Sequence, residues 1–342
     1  MYSIYDFSRE KLENFFLENN EKKFKATQIY EWLYKKRISD FDLMSNVSKS
    51  TISLLKENFK IEELKLLASQ SDVDVDKYLF GLSDGNKIEA VLMNHDYGYS
   101  LCISTEVGCN MGCLFCESGR LKKVRNLLPS EMVLQILQVE KIKGIRISHI
   151  VLMGIGEPFD NYDNVIEFVN IINDPKGIDI GARHITISTC GLIPKIKEFS
   201  HLDKQVNLAI SLHAPNNEIR DKLMPINKVY KIEELIKALK EYLDITKRRV
   251  TFEYIMLSGI NDSTKCANEL ATLLKGMNAY VNLIPYNSTS NDSLFKKSSK
   301  ENIMAFYDTL KKNNINVTIR REFGSKVSAA CGQLRANYKE EK

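Results

Sequence analysis

Three cysteines in one short run, Cys109, Cys113 and Cys116 of Gly108-Cys-Asn-Met-Gly-Cys-Leu-Phe-Cys116, offer three soft thiolates from a single loop. Iron–sulfur clusters and structural zinc both normally take four protein ligands, so a triplet leaves one coordination position to be explained. One solution is a four-iron cluster with an open iron, which could chelate a small molecule through an amino and a carboxylate group. The other is zinc completed by a distant Cys or His. The elements around the loop must decide between them.

From the cysteine region onward the chain alternates short apolar strands with helical segments. Strands are predicted over 100–104, 149–153, 184–188, 206–211, 250–256 and 280–284. Six strands separated by helices predict a partial (β/α)6 barrel of the α/β class, in which the working groups gather at the carboxyl ends of the strands. Those ends read Ser104-Thr-Glu-Val-Gly-Cys, Gly154-Ile-Gly156-Glu157-Pro, Ser188-Thr-Cys-Gly, Ser211-Leu212-His213 and Pro285-Tyr-Asn287. The cysteine loop follows the first barrel strand directly, which places it at the open mouth and favours a cluster over a peripheral zinc knuckle. The glycines after the second strand let backbone approach a ligand, and Glu157 can accept hydrogen bonds from a ligand amine. One strand after an open cluster, that amine would be the methionyl amine of S-adenosylmethionine. Ser188, Ser211, His213 and Asn287 could add hydrogen bonds to the rest of such a cofactor, although each could equally be an ordinary strand-end residue.

Ahead of the barrel, Ser8 can cap a helix with Leu12, Phe15 and Phe16 inward, and a second helix carries Ile29, Trp32 and Leu33 at helical spacing. A β-hairpin follows, formed by Lys77-Tyr-Leu-Phe-Gly, the turn Ser83-Asp-Gly-Asn86 and Lys87-Ile-Glu-Ala-Val-Leu-Met93. The expected division is an N-terminal helical, structural or substrate-docking module over 1–63, a β extension over 64–94, the barrel over 95–322 and a tail over 323–342.

The 342 residues, 44% hydrophobic and 27% charged, suffice for a barrel-sized core with an appended module, and no stretch has the apolar length of a membrane helix. Seven cysteines, an odd number, argue for ligation or catalysis rather than a disulfide scaffold, and the N-terminus lacks a secretory pattern, so a cytoplasmic protein is expected. A net charge of +4 does not by itself indicate nucleic-acid binding. The clusters Arg120-Leu-Lys-Lys-Val-Arg125, Lys247-Arg-Arg249 and Arg320-Arg321 are compatible with phosphate contacts.

Taken together, the cysteine loop, Arg125-Asn-Leu, Met153-Gly-Ile-Gly-Glu-Pro, Ser211-Leu-His-Ala-Pro, Lys222-Leu-Met-Pro-Ile-Asn227 and Ala329-Ala-Cys-Gly-Gln-Leu334 resemble the RlmN/Cfr family of radical S-adenosylmethionine RNA methyltransferases nearly end to end. The terminal Ala-Ala-Cys-Gly-Gln is the most diagnostic of these. Gly-Glu-Pro, Leu208-Ala-Ile-Ser-Leu-His-Ala, Phe252-Glu-Tyr and Leu283-Ile-Pro-Tyr-Asn resemble the RlmN branch, whereas Phe323 in Arg320-Arg-Glu-Phe-Gly324 resembles the Cfr branch. Glu117-Ser-Gly-Arg120 stands where the family usually has Ala-Thr-Gly, putting an acid beside the cluster.

The resemblance implies one [4Fe-4S] cluster on Cys109, Cys113 and Cys116, and two molecules of S-adenosylmethionine per turnover, held by Gly156, Glu157, Ser188, Ser211, Leu212, His213 and Asn287. It implies that Cys331 carries the methyl group, that Cys102 resolves the RNA adduct by a transient disulfide with Cys331, and that Glu89 accepts the proton. The implied substrates are adenine carbon 2 of 23S rRNA and possibly tRNA, served by a flavodoxin- or ferredoxin-type electron donor, with the enzyme a monomer. Carbon-8 methylation, the Cfr activity, and a non-catalytic metal-containing RNA-binding protein are the alternatives. Read without the resemblance, Cys102 is a buried small strand hydrophobe and Glu89 a solvent-facing strand residue. Cys190 is expected beside the cofactor and Cys266 in helix packing.

Overall fold

The computed structural model describes residues 1–287 and 294–320. One ten-stranded sheet organises them, and its strands lie across it in chain order. They are β1 (Lys65–Asp72), β2 (Val75–Gly81), β3 (Lys87–His95), β4 (Gly98–Cys102), β5 (Ile147–Leu152), β6 (Ile185–Thr189), β7 (Asn207–Ser211), β8 (Val250–Met256), β9 (Ala279–Pro285) and β10 (Asn316–Ile319). Neighbours are antiparallel from β1 to β4 and parallel from β4 to β10. The hairpin extension is therefore continuous with the barrel strands through β3 and β4. To the six strands read from the sequence the structure adds β10, a four-residue, half-polar edge strand too short to carry a pattern of its own.

The N-terminal helices are α1 (Arg9–Glu18), α2 (Phe24–Tyr30) and α3 (Lys49–Asn58). The Ser8 hydroxyl caps α1 by accepting from the Lys11 N–H, and Leu12 and Phe16 face inward as expected, with Phe15 edge-on against Phe59 at 4.7 Å. After Tyr30 the helix widens into a π-helical turn, Glu31–Lys35. Ile29, Tyr30, Leu33 and Tyr34 take the buried positions. Trp32 stays half-exposed, its Nε1 donating to Asn46 at 2.6 Å and its ring covered by the Lys36 ammonium. The module is joined to the barrel by apolar packing and by bonds from the Ser8 N–H to Glu167 (2.9 Å), Arg9 to Asp174 (2.8 Å) and the Ser130 N–H to Asp6 (2.9 Å).

Helices α4 (Pro129–Lys143), α5 (Tyr162–Asn173), α6 (Ile193–Phe199), α7 (Asn217–Leu223), α8 (Ile232–Thr246), α9 (Thr264–Leu274) and α10 (Lys300–Lys312) connect the parallel strands. Alternation along those strands sends Ile150, Leu152, Ile187, Leu208, Ile210 and Phe252 into the main core beneath the helices. The opposite face carries Met153, Ser188, Ser211, Glu253 and Ile255, all of which line one pocket. A parallel sheet normally buries two apolar faces. Polar residues along the second face mark it as the lining of a ligand space.

Candidate active site

The cysteine loop leaves β4 through a two-residue antiparallel ladder, Glu106–Val107 with Arg125–Asn126. Its path is fixed at both ends, with the Cys109 N–H donating to Leu121 O and the Leu114 N–H to Leu223 O at the end of α7, each at 3.0 Å. Cys109, Cys113 and Cys116 all line the same pocket, with Phe115 buried beside them and edge-on to His213 at 4.7 Å. Burial pushes the Cys109 thiol up to about 12 and Cys113 higher, and neighbouring thiols and acids add to the effect. Among the described residues no three His, Cys, Asp or Glu side chains close on a single ion. The cysteines instead stand around a shared wall, opposite a polar loop.

That loop holds Gly154, Gly156 and Glu157, which line the pocket. Gly156 has φ +110°, and a Cβ there would lie 2.6 Å from the Cβ and Cγ of Glu106, so only glycine fits. Glu157 is buried. Its Oε1 accepts from the Phe159 N–H (3.0 Å) and its Oε2 from the Cys190 N–H (2.8 Å), leaving further lone pairs for a ligand amine. Burial raises its pKa, against the pull of those backbone donors.

Glu106, quoted in the sequence only as part of a polar strand end, orders this loop. It is fully buried, Oε2 accepts the Glu157 N–H at 3.0 Å, and Lys123 lies 2.5 Å from Oε1. Burial lifts its pKa to about 7 despite that lysine.

Ser188 and Ser211 face one another across neighbouring strands, with their hydroxyls 3.4 Å apart in the pocket wall. His213 also lines the pocket. Its Nδ1 accepts the Ile255 N–H at 3.0 Å, so the neutral ring carries its proton on Nε2, and burial lowers its pKa to about 3. Leu212 is placed differently: its side chain lies in the core beneath the helices, and its N–H is bonded to Glu253 O. Asn287 is half-buried and outside the pocket lining. Cys190 lines the pocket and Cys266 packs in the helix-side core, as expected for each.

Glu89 and Cys102 lie next to the pocket rather than in its wall. Cys102 opposes Val91 in the β3–β4 ladder, and Val91 shares the face of β3 that carries Glu89. Cys102 packs with Val75, Val91, Met93 and Ile155, flanked by the pocket residue Met153. Glu89 is 2% exposed, not a solvent-facing strand residue, and Lys77 lies 3.3 Å from its Oε1. No disulfide joins any two of the six described cysteines, and Cys331 lies outside the described residues, as do Arg321 and Phe323.

Much of the basic surface is engaged internally. Arg125 forks onto Glu131 at 2.7 and 2.8 Å while its Nε bonds Asp84, Lys123 pairs with Glu106 and Asp160, and Arg248 bonds Val206 O and Asn207. Arg249 stacks over Tyr280, and Arg320 lies in the pocket, 3.7 Å from Glu253. Of the first cluster, Arg120 and Lys122 remain exposed. Glu117 approaches Arg120 at 3.8 Å.

Residues 103–267 match the Radical SAM superfamily, and residues 2–61 match the ribosomal RNA large subunit methyltransferase N-terminal domain. The probable dual-specificity RNA methyltransferase RlmN of Acholeplasma laidlawii (strain PG-8A) is 55% identical over 334 residues, 97% of this chain and 98% of that protein. The chain belongs to the RlmN family. Its namesake from Enterococcus faecalis (strain ATCC 700802 / V583) is likewise 55% identical over 342 residues, 98% of this chain and 96% of that protein. A crystal structure of a radical SAM methyltransferase from Sphaerobacter thermophilus superposes with a TM-score of 0.92 at 39% identity, covering 98% of this chain and all of that one. As an RlmN-family member with a radical SAM domain, the chain is an S-adenosylmethionine-dependent methyltransferase of the radical class, a class that uses a [4Fe-4S] cluster.

Proposed function

We propose that this enzyme methylates carbon 2 of an adenine in 23S rRNA, and in tRNA, with Cys331 as the methyl carrier. The observation that carries the reading is the meeting, in one pocket at the carboxyl ends of parallel strands, of the buried Cys109, the half-buried Cys113 and Cys116, and the Gly156–Glu157 loop. Cys109, Cys113 and Cys116 would hold the [4Fe-4S] cluster. Glu157, Ser188, Ser211, His213 and the Gly156 backbone would hold S-adenosylmethionine, two molecules being used per turnover. When bound, the cluster supplies the electron, received from a flavodoxin- or ferredoxin-type donor, that cleaves the cofactor to a 5′-deoxyadenosyl radical.

Adenine carbon 2 lies between two ring nitrogens and is too electron-poor to attack a sulfonium methyl, so a carbon radical must be delivered to it. The Cys331 thiolate first takes a methyl from one cofactor molecule as a thioether. Cys331 would then present that S-methyl to hydrogen-atom abstraction, and the resulting sulfur-bound methylene radical would add to carbon 2. Completing the substitution would require the adduct to give one electron back to the oxidised cluster, and Glu89 would take the proton from carbon 2. The Cys102 thiolate then attacks the Cys331 sulfur, forming a disulfide as the carbon–sulfur bond breaks, and the released carbon is protonated to methyl. The shared sheet face of Glu89 and Cys102, adjoining the pocket through Met153, supports these roles. The helical module and exposed basic residues such as Lys122 would grip the RNA, whose base must be unstacked to enter. The protein would act as a cytoplasmic monomer; no described helix is long and apolar enough to cross a membrane.

The test uses two variants on a 23S rRNA fragment with S-adenosylmethionine and reductant. Cys331→Ala should form no methyladenosine, and Cys102→Ala should accumulate a covalent protein–RNA adduct visible on a denaturing gel. Normal turnover by either variant would refute the role given to that cysteine.

A further inference from the structure

Arg220, on α7, has no solvent exposure, yet its donors meet only neutral acceptors: Leu212 O (3.2 Å), Cys190 O (2.6 Å), Ser211 O (3.4 Å) and Asn227 Oδ1 (3.0 Å). Among the described residues it forms no ion pair, and the adjacent Asp221 is bonded to Lys231 and Asn227 instead. Carbonyl dipoles replace part of the hydration of a guanidinium, but a buried full charge ordinarily also has a counter-charge. Here the groups within electrostatic reach that can become negative include the Cys190 and Cys113 thiols, both of which pull the guanidinium pKa back up against burial.

Phe115, Cys190, Leu223 and Met224 form one apolar cluster against which Cys113 and Cys116 pack, and the Leu114 N–H bonds to Leu223 O at 3.0 Å. His213, which lines this pocket, is held neutral by burial and secondarily by Arg220 itself, while Arg320, in the same lining, lies 3.7 Å from Glu253. Arg220 is thus a fully buried cation with no ion pair among the described residues, bonded to the carbonyl of the pocket residue Cys190.

We propose that Arg220 is the fixed counter-charge of the cysteine loop, offsetting the negative charge of the thiolate-bound cluster and setting how readily that cluster is reduced. The proposal rests on the reading that Cys109, Cys113 and Cys116 hold the cluster. Arg220 acts as a positioning residue through the electrostatics of the ligands. Its carbonyl bonds also fix the ends of β6 and β7, so a purely structural clamp is the competing explanation.

Anaerobic reconstitution of the wild type, Arg220→Lys and Arg220→Gln, followed by iron counting and an electron-paramagnetic-resonance redox titration with dithionite, separates the two. Removing a unit charge on the order of 10 Å away at an effective dielectric of about 20 should lower the reduced-to-oxidised ratio at fixed potential by at least about tenfold. Arg220→Gln should show that shift, and Arg220→Lys most of the wild-type behaviour. In the metal-free protein Arg220→Gln should unfold at or above the wild-type temperature, because an uncompensated buried charge has been removed; in the loaded protein it should unfold below it. An unchanged midpoint, an equal loss of Tm in both states, or failure of metal-free Arg220→Gln to fold would each overturn the proposal in favour of a clamp. Failure of the wild type itself to take up about four irons per chain would count against the cluster reading instead.

Discussion

Gly156→Ala is the most informative single perturbation of the pocket, because the structure fixes both components of its effect. A φ of +110° on an L residue costs about 1–3 kcal/mol. The new methyl would also stand 2.6 Å from Glu106 Cβ and Cγ and 2.8 Å from its backbone N, closer than real Cβ contacts allow. Glu106 cannot swing aside, since Oε2 holds the Glu157 N–H at 3.0 Å and Lys123 holds Oε1 at 2.5 Å. Relieving such an overlap in a packed site costs about 1–3 kcal/mol more. The expected loss of about 2–6 kcal/mol is a large share of the roughly 5–15 kcal/mol that keeps a domain folded. Urea unfolding of the metal-free protein followed by circular dichroism would read it as a lowered midpoint at unchanged slope. S-adenosylmethionine binding should fall with it, because Glu157 follows Gly156 directly. Gly181→Ala is the control: φ is −57°, no atom lies within 4 Å of the added methyl, and a change within about 0.5 kcal/mol is expected. A loss at Gly156 below about 1 kcal/mol, or an equal loss at Gly181, would refute the close-approach reasoning.

Glu106 should make stability fall as pH rises. Its folded pKa, about 7, lies above the 4.5 of an ordinary glutamate, so the contribution is fully present below about pH 4.5 and is lost as pH rises through 7. With the Lys123 pair already included in that pKa, the loss between pH 5 and 8 should be about 2.5 kcal/mol, and Glu106→Gln should flatten this slope in urea titrations; identical slopes would contradict the assignment. Ser104→Ala should cost about 2–3 kcal/mol, because the buried hydroxyl both donates to Glu89 O (2.6 Å) and accepts the Ile155 N–H (3.1 Å). Thermal unfolding measures that loss, and a shift no larger than that of an exposed serine would show that the two groups find other partners.

The barrel strands were readable because each is an apolar run that ends on polar or glycine-rich residues, and β4 to β9 lie where those runs stand. The cysteines and the Gly156–Glu157 loop were also readable, since each signal is local. Glu106 and Arg220 were not, because their meaning lies in distant partners: the Glu157 N–H for one, and the Cys190 and Leu212 carbonyls for the other. An arginine two residues before Lys222 reads as surface until burial is seen. Likewise Lys123 and Arg125 read as part of a basic patch, whereas ion pairs to Glu106, Asp160, Asp84 and Glu131 employ them within the fold. Leu212 shares a motif with Ser211 and His213, but alternation sends its side chain to the other face.

The most direct test of adenine carbon-2 methylation is mass mapping of methyladenosine isomers in 23S rRNA and tRNA from cells with and without this gene. The expected result is 2-methyladenosine that disappears from both RNAs on deletion and returns with the wild-type gene but not with Cys331→Ala. Loss of 8-methyladenosine instead, or no change in any methyladenosine, would contradict it.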